Sequence, residues 1–402
     1  MTISFLRLKK NEDRRLRAGH LWIYSNEIDT TTTPLKQFTP GQEVLIEAAD
    51  KSVLGRAYVN PHSLITARLL TRNPSEALDT DFFIQRIEQA YHLRNHLFNQ
   101  PYYRLVFSES DDLPGLIIDR FNDTFVLQMN TAGMDIKTDL IIDALQHLFP
   151  SIQSILLRND SNIRLAEGLP KEIRAGWGTP PDILSLEENE THFQIPLWQG
   201  QKTGWFYDHR LNRRQLKHYV AHKRVLDVFS YMGAWAIPAA IYGAKEVTCI
   251  DSSPLAKQWI PENAKLNGLS DNTIRVITED AFIALKNLIQ AKEQFDVIVL
   301  DPPAFAKKQK DKKEGLLAYQ RLNEAALKLL TPEGILLSCS CSMHMSEEEF
   351  VQVIRKASLR THSPLQLLSR GHQGPDHPIH LAIPETNYLK MLAVRKIKNR
   401  YT

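Results

Sequence analysis

Apolar and polar positions along this chain change their spacing from one stretch to the next. Over residues 1–74 the apolar residues form short runs, V-L-I-E-A-A-D, V-L-G-R-A-Y-V-N and L-I-T-A-R-L-L-T. Pro40-Gly41 stands before the first run and Asn73-Pro74 after the last, so the pattern predicts strands joined by turns. In D-F-F-I-Q-R-I-E-Q-A-Y-H-L-R-N-H-L-F, by contrast, Phe82, Phe83, Ile87, Ala90, Tyr91 and Leu97 recur near a 3.6-residue period, which predicts a helix. Strand-like R-L-V-F-S-E-S, G-L-I-I-D-R-F and T-F-V-L-Q-M-N follow, then helical D-I-K-T-D-L-I-I-D-A-L-Q-H-L-F and strand-like S-I-L-L-R-N-D. An α+β unit over 78–186 accounts for this order.

Over 187–402 strands and helices alternate. R-V-L-D-V-F-S, E-V-T-C-I-D-S, T-I-R-V-I-T-E-D, F-D-V-I-V-L-D and G-I-L-L-S-C-S are nearly continuous apolar runs, with helical stretches such as P-L-A-K-Q-W-I-P-E-N-A-K-L-N-G between them. Strands apolar on both faces with helical crossovers predict a parallel, doubly wound sheet, an α/β fold. Ser346 and Glu349 have capping-box spacing and open a further helix.

Composition adds exclusions. With 43% apolar and 24% charged residues the chain is an ordinary globular one, and no apolar stretch is long enough for a membrane helix. Three cysteines, Cys249, Cys339 and Cys341, cannot form a disulfide framework. The start lacks an apolar segment behind its basic residues, so the expected compartment is the cytoplasm. The net charge is only +3, yet positive residues cluster at Arg7, Lys9, Lys10, Arg14, Arg15 and Arg17, and again over 307–313. Such clusters suit a polyanion or simply a solvated face.

In an open parallel sheet, ligands sit beyond the carboxyl ends of the strands. Those positions hold Asp227, Asp251, Asp280, Asp301 and Cys341. Gly233 lets the first turn approach a ligand, but the three-glycine pattern of dinucleotide enzymes is missing, which disfavours a nicotinamide oxidoreductase. Each carboxylate alone reads as a helix cap. Together they favour S-adenosylmethionine, Asp251 gripping ribose hydroxyls and Asp280 an adenine amine. Asp301-Pro302-Pro303 forms a rigid edge of acceptors for a nucleobase amine, on which Phe305 could stack. Cys339 and Cys341 alternate onto one side of their strand, Cys341 nearer its carboxyl edge. They read as small buried hydrophobes or as a nucleophilic thiolate; Cys-x-Cys alone leaves a metal short of ligands, so no metal is expected.

At this point the sequence strongly resembles the 5-methylcytosine RNA methyltransferases related to ribosomal RNA large subunit methyltransferase I. The resemblance rests on G-Q-K-T-G-W-F-Y-D-H-R (Gly200–Arg210), L-D-V-F-S-Y-M-G (Leu226–Gly233), L-D-P-P-A-F (Leu300–Phe305) and S-C-S-C-S. S-E-S-D-D-L-P-G-L-I-I-D, R-L-A-E-G-L, Asp376-His377-Pro378 and Tyr388-Leu389-Lys390 extend it along the chain. It implies an RNA-binding PUA domain over 1–74, carrying the first basic cluster, then the α+β middle domain over 78–186. A Rossmann-like methyltransferase domain over 187–402 completes the chain. It further implies a cofactor site of Gln201, Lys202, Thr203, Asp208, Arg210, Asp227, Phe229, Ser230, Gly233, Asp251, Ser252, Asp280, Ala281 and Asp301. Pro302, Pro303, Phe305, Lys307 and His377 would face the RNA substrate, ribosomal RNA by resemblance, and a homodimer is plausible by the same route.

The expected chemistry follows. Cys341 adds to carbon 6 of a cytosine, Asp301 bonds its ring nitrogen or amine, and carbon 5 takes the methyl group. Unlike related cytosine-methylating enzymes, no cysteine follows Asp-Pro-Pro. Cys339, a water or a carboxylate is left to remove the carbon-5 proton. Two rivals stand beside this reading: an RNA amine methyltransferase, which has no need of Cys341, and a non-catalytic RNA-binding assembly factor.

Overall fold

The computed structural model describes residues 3–306 and 308–398. The chain forms two compact units: Met1–Leu184 with Pro196–Tyr207 and Pro375–Thr386, and Ser185–Ile195 with Asp208–Gly374 and Asn387–Thr402.

In the first unit, β1 (Ser4–Arg7), β2 (Trp22–Tyr24), β3 (Gln42–Glu47), β4 (Val53–Val59) and β5 (Ile65–Thr71) make a five-stranded sheet in the order β1-β3-β4-β5-β2. The three longest are the three expected runs. Short β1 and β2 carry too few alternating positions to be read from sequence. Leu6, Ile23, Val44, Ile46, Val59 and Leu69 fill the core of this sheet. Within the basic cluster Arg7 pairs with Glu47, Arg15 with Glu27 and Arg17 with Asp13, so about half of its charge is already answered.

A second sheet joins β6 (Tyr102–Phe107), β7 (Leu116–Phe121), β8 (Thr124–Met129), β9 (Ser154–Asn159) and β10 (Glu172–Gly178), in the order β10-β9-β8-β7-β6. The helices Thr80–Leu97 and Thr138–Leu148 share one apolar core with it, through Phe83, Ile87, Ile141 and Leu145 against Leu105, Phe125 and Leu157. Asp79 starts the first of these helices by accepting the Phe82 N–H.

The second unit begins near the hairpin β11 (Ile183–Glu188) and β12 (Thr191–Pro196). Its main sheet has seven strands: β13 (Arg224–Val228), β14 (Glu246–Asp251), β15 (Ile274–Thr278), β16 (Phe295–Leu300), β17 (Leu330–Ser340), β18 (Leu365–Gly371) and β19 (Lys390–Lys396). Their order is β15-β14-β13-β16-β17-β19-β18. The five expected strands are parallel; β13, β14, β16 and β17 are largely buried, whereas β15 at the sheet edge is partly exposed throughout. β19 adds antiparallel to β17 and β18 antiparallel to β19, an extension the alternation did not announce. Helices Pro254–Leu266, Ala281–Gln290, Lys312–Leu329 and Glu347–Arg360 cover the sheet, and Ser346 and Glu349 form the expected reciprocal cap. No described helix is long and apolar enough to cross a membrane.

Candidate active site

Strand order reverses at β13, which has β14 on one side and β16 on the other, so a crevice opens beyond the carboxyl ends of β13 and β16. The turn leaving β13 is unusually bent. Phe229, Tyr231 and Gly233 have φ of 68°, 52° and 84°. Only glycine enters that region freely, and a Cβ on Gly233 would lie 2.8 Å from Ile237. Backbone strain of this kind collects at ligand sites. The turn is held by bonds it cannot relax away from: the Phe229 N–H donates to the Ile250 carbonyl (2.8 Å), the Tyr231 N–H to Asp251 Oδ2 (2.9 Å), and the Ser230 hydroxyl to the Asp227 carbonyl (2.8 Å).

Asp227 lies fully buried one residue before the end of β13, and among the described residues neither of its carboxylate oxygens has a hydrogen-bond partner. Burial first, then the nearby Asp301 charge, push its carboxyl up to about 8. An acid isolated in this way fits a cationic ligand group, and S-adenosylmethionine carries an ammonium. Half-buried Asp251 ends β14; its two oxygens each accept one amide, from Ser253 (2.8 Å) and Tyr231, leaving lone pairs for hydroxyls. Burial raises its carboxyl despite those amides. Ser252 is exposed beside it. Asp280 is exposed and caps the helix Ala281–Gln290, one oxygen accepting from Phe282 (2.9 Å) and Ile283 (3.2 Å). Its helix-cap reading therefore holds as geometry. Ala281 is buried behind it.

Asp301 follows β16 and is gripped from two sides. The Trp235 indole N–H donates to Oδ2 at 2.9 Å, and His209 Nε2 lies 3.1 Å from Oδ1. Burial works against its charge, but the His209 contact and the Trp235 bond outweigh it and hold the carboxyl below its usual value. The pair is itself positioned: the His209 and Trp235 rings meet edge to face at 5.4 Å, and His209 Nδ1 lies 3.3 Å from the Asn212 amide. Pro302 is buried and Pro303 exposed. Phe305 is half-buried against Tyr319, ring centres 4.8 Å apart, with Phe282 at 6.3 Å. Gly315 lets the helix Lys312–Leu329 lie against this loop, since a Cβ there would fall 2.8 Å from that of Ala306. Lys307 lies outside the described residues.

All three cysteines are reduced, and they differ sharply in surroundings. Cys249 and Cys339 are fully buried, and burial pushes both thiols well above the ordinary range. Cys341 stands just past the end of β17 and is half-buried, its sulfur 3.9 Å from the Pro302 carbonyl. One thiol among the described residues thus touches the Asp-Pro-Pro loop. Cys339 lies behind it: its sulfur, Asp301 and His209 offer three ligand atoms within 4.8 Å of one another. Imidazole near Cys339 was not anticipated. Three ligands are fewer than the four of a structural zinc site, and the two Asp301 oxygens already meet His209 and the Trp235 indole.

The remaining expected residues divide between the units. Gln201 and Lys202 are exposed in the first unit, with the Lys202 ammonium over the Phe206 ring at 4.6 Å, and Thr203 beside them is buried. His377, also in the first unit, is buried between the Asp376 carboxylate (3.0 Å) and the Phe107 ring (5.0 Å). In the second unit Asp208 accepts the Tyr388 hydroxyl at 2.5 Å, and Arg210 faces Glu188 at 3.5 Å. Sequence reading passed over His209, Trp235 and Lys390. Each lies in or directly beside a motif quoted for the resemblance, but nothing in its spacing marked it.

Residues 6–72 match the PUA-like domain family, and residues 170–382 match the S-adenosylmethionine-dependent methyltransferase family. Ribosomal RNA large subunit methyltransferase I of Aliivibrio fischeri is 35% identical over 99% of this chain and 100% of its own length. The protein of that name from Aeromonas salmonicida is 38% identical, over 97% and 99%. Among solved structures, a chain from Streptococcus mutans described as a SAM-dependent methyltransferase superposes with a TM-score of 0.82 at 20% identity, covering 98% of this chain and all of that one. A methyltransferase solved with SAH superposes with a TM-score of 0.83 at 21% identity and the same coverage.

Proposed function

Because this chain belongs to the S-adenosylmethionine-dependent methyltransferases related to ribosomal RNA large subunit methyltransferase I, we propose that it methylates carbon 5 of a cytosine in large-subunit ribosomal RNA through a covalent bond to Cys341. The observation that carries this reading is the half-exposed Cys341 sulfur against the Pro302 carbonyl, one residue from Asp301. An amine methyltransferase has no use for a thiol at that place.

S-adenosylmethionine supplies an electrophilic methyl group. Asp227, Asp251 and Asp280, with the bent turn from Phe229 to Gly233, are the residues that would hold it; Ser252 and Ala281 flank them. Carbon 5 of cytosine is a weak nucleophile. Addition of the Cys341 sulfur to carbon 6 gives carbon 5 enamine character; carbon 5 can then bond the methyl carbon as the methyl–sulfonium bond breaks, its electron pair leaving with the cofactor's sulfur. Loss of the carbon-5 proton restores the ring double bond as the carbon–sulfur bond breaks. Asp301, fixed by Trp235 and His209, is aimed to accept from the cytosine amine and to steady charge as the adduct forms. The buried Cys339 thiol is a poor proton acceptor, which leaves a water or a carboxylate for the carbon-5 proton. Pro302, Pro303, Phe305, Lys307 and His377 stay assigned to the RNA side by resemblance alone, as do Gln201, Lys202, Thr203, Asp208 and Arg210 to the cofactor side. The target cytosine must be unpaired or be flipped out of its duplex stack, at roughly a few kcal/mol. The domain limits 1–74, 78–186 and 187–402, the RNA-binding role of the PUA-like domain and a homodimer belong to the same proposal.

Incubating the protein with deproteinised large-subunit RNA and labelled cofactor, then digesting to nucleosides, is expected to give labelled 5-methylcytidine. Label in a guanine or adenine amine instead would install the first rival, and no transfer to any RNA the second. A further expectation concerns His209. His209→Ala removes the contact that holds the Asp301 carboxyl low and leaves the burial that raises it. The acid limb of the methylation rate against pH should therefore move to higher pH. A limb that stays in place would separate Asp301 from the pH dependence.

A further inference from the structure

We propose that Lys390 is a positioning residue for the nucleophile, its buried ammonium holding the Cys341 loop in shape and keeping the sulfur in its anionic form. The proposal rests on the reading of Cys341 given above. Lys390 opens β19 and is the register partner of Ser340, the last residue of β17. Cys341 comes next, and the chain then turns through Ser342 and Met345 before the helix Glu347–Arg360 begins. Lys390 is only 5% exposed. Its Nζ donates to the carbonyl of Ser342 at 2.7 Å and to that of Met345 at 2.7 Å, so one nitrogen clasps both ends of the loop that starts at the sulfur.

Two carbonyl dipoles aimed at one nitrogen favour its charged form, and burial leaves that charge poorly screened. Burial draws the Lys390 ammonium down to about 8, while the Cys341 sulfur, Glu347 and Glu349 act to keep it charged. The two glutamates belong to the following helix and have other cations: Arg370 bonds Glu347 at 2.5 Å and Lys312 bonds Glu349 at 2.7 Å. His344 and His372 line the same 440 Å³ cavity as Lys390. From the helix Lys312–Leu329, Tyr319 bonds the Ser342 hydroxyl at 3.0 Å; burial, then the Cys341 sulfur, push its phenol up to about 12, so it stays neutral. Deprotonation is a simple heterolysis. The S–H bond breaks, the electron pair stays on sulfur, and the proton passes to solvent at the half-exposed thiol. Nothing is oxidised or reduced.

The test is alkylation of full-length protein with iodoacetamide across pH, following the Cys341 peptide by mass spectrometry. In the unsubstituted protein the midpoint should lie below the ~8.5 of an ordinary thiol. In Lys390→Gln it should rise, with Cys341 alkylation at neutral pH falling roughly tenfold per unit of that rise, and Lys390→Arg should restore most of the rate. An unsubstituted midpoint at or above the ordinary value overturns the proposal without any variant. So does a midpoint unmoved in a folded Lys390→Gln protein, or one moved equally by Gln and Arg. Retained methylation in Cys341→Ala would instead remove the nucleophile reading, an outcome the alkylation midpoint does not touch.

Discussion

Cys341→Ala should lower the methylation rate by about 10³-fold or more while S-adenosylmethionine binds within about twofold of its usual affinity. The asymmetry follows from geometry. Cys341 meets the Asp-Pro-Pro loop at Pro302, whereas the carboxylates suited to the cofactor stand at the ends of β13, β14 and β15. Removing the sulfur leaves those strand ends and their caps intact. Cys339→Ala tests the alternative within one experiment. Its thiol is fully buried and strongly disfavours the anion, so its loss should act on stability more than on rate. Rate constants from single turnover, with cofactor affinity from calorimetry, measure both quantities. If Cys339→Ala abolished transfer and Cys341→Ala did not, the chemistry would belong to the inner thiol.

Asp227→Asn should act in two opposite directions. Cofactor affinity should fall by about 10- to 100-fold, the loss of one charge-assisted hydrogen bond of ~1.5–3 kcal/mol. The unliganded protein, however, should melt at a higher temperature than its parent. Asp227 is buried without a bond for either oxygen among the described residues, and burial pushes its carboxyl up to about 8 in the folded chain against ~3.9 when unfolded. Between those values the unfolded chain gives up its proton first, so stability falls as pH rises through that window. Asparagine carries no such liability. The gain in melting temperature should thus be small near pH 4 and grow towards pH 8. Equal melting curves at both ends of that range would mean that the acid is not isolated, and unchanged cofactor affinity would remove it from the cofactor site.

Much of this protein is written in its spacing. Periods of two and of 3.6 locate most strands and helices, because each element must turn an apolar face inward. Near-continuous apolar runs such as F-D-V-I-V-L announce strands buried on both faces, and the open end of such a sheet follows from that. Asp227, Asp251, Asp301 and Cys341 could therefore be singled out as the residues that leave successive strands, and the structure has them leaving β13, β14, β16 and β17. What spacing could not provide is which groups meet across the chain. That His209 and Trp235 share Asp301 and that Lys390 clasps the Cys341 loop are contacts between residues up to ninety-two positions apart, and spacing is equally silent on Asp227 finding no partner among the described residues. The antiparallel strands β18 and β19, which bring Lys390 there, break the strand–helix alternation, although M-L-A-V within β19 is an apolar run. Local pattern determines which face of an element is buried, since that depends on neighbours a few residues away. Whether a buried acid is charged, or a thiol exposed, depends on atoms that only the folded chain brings within a few ångströms, and so tertiary structure alone decided it.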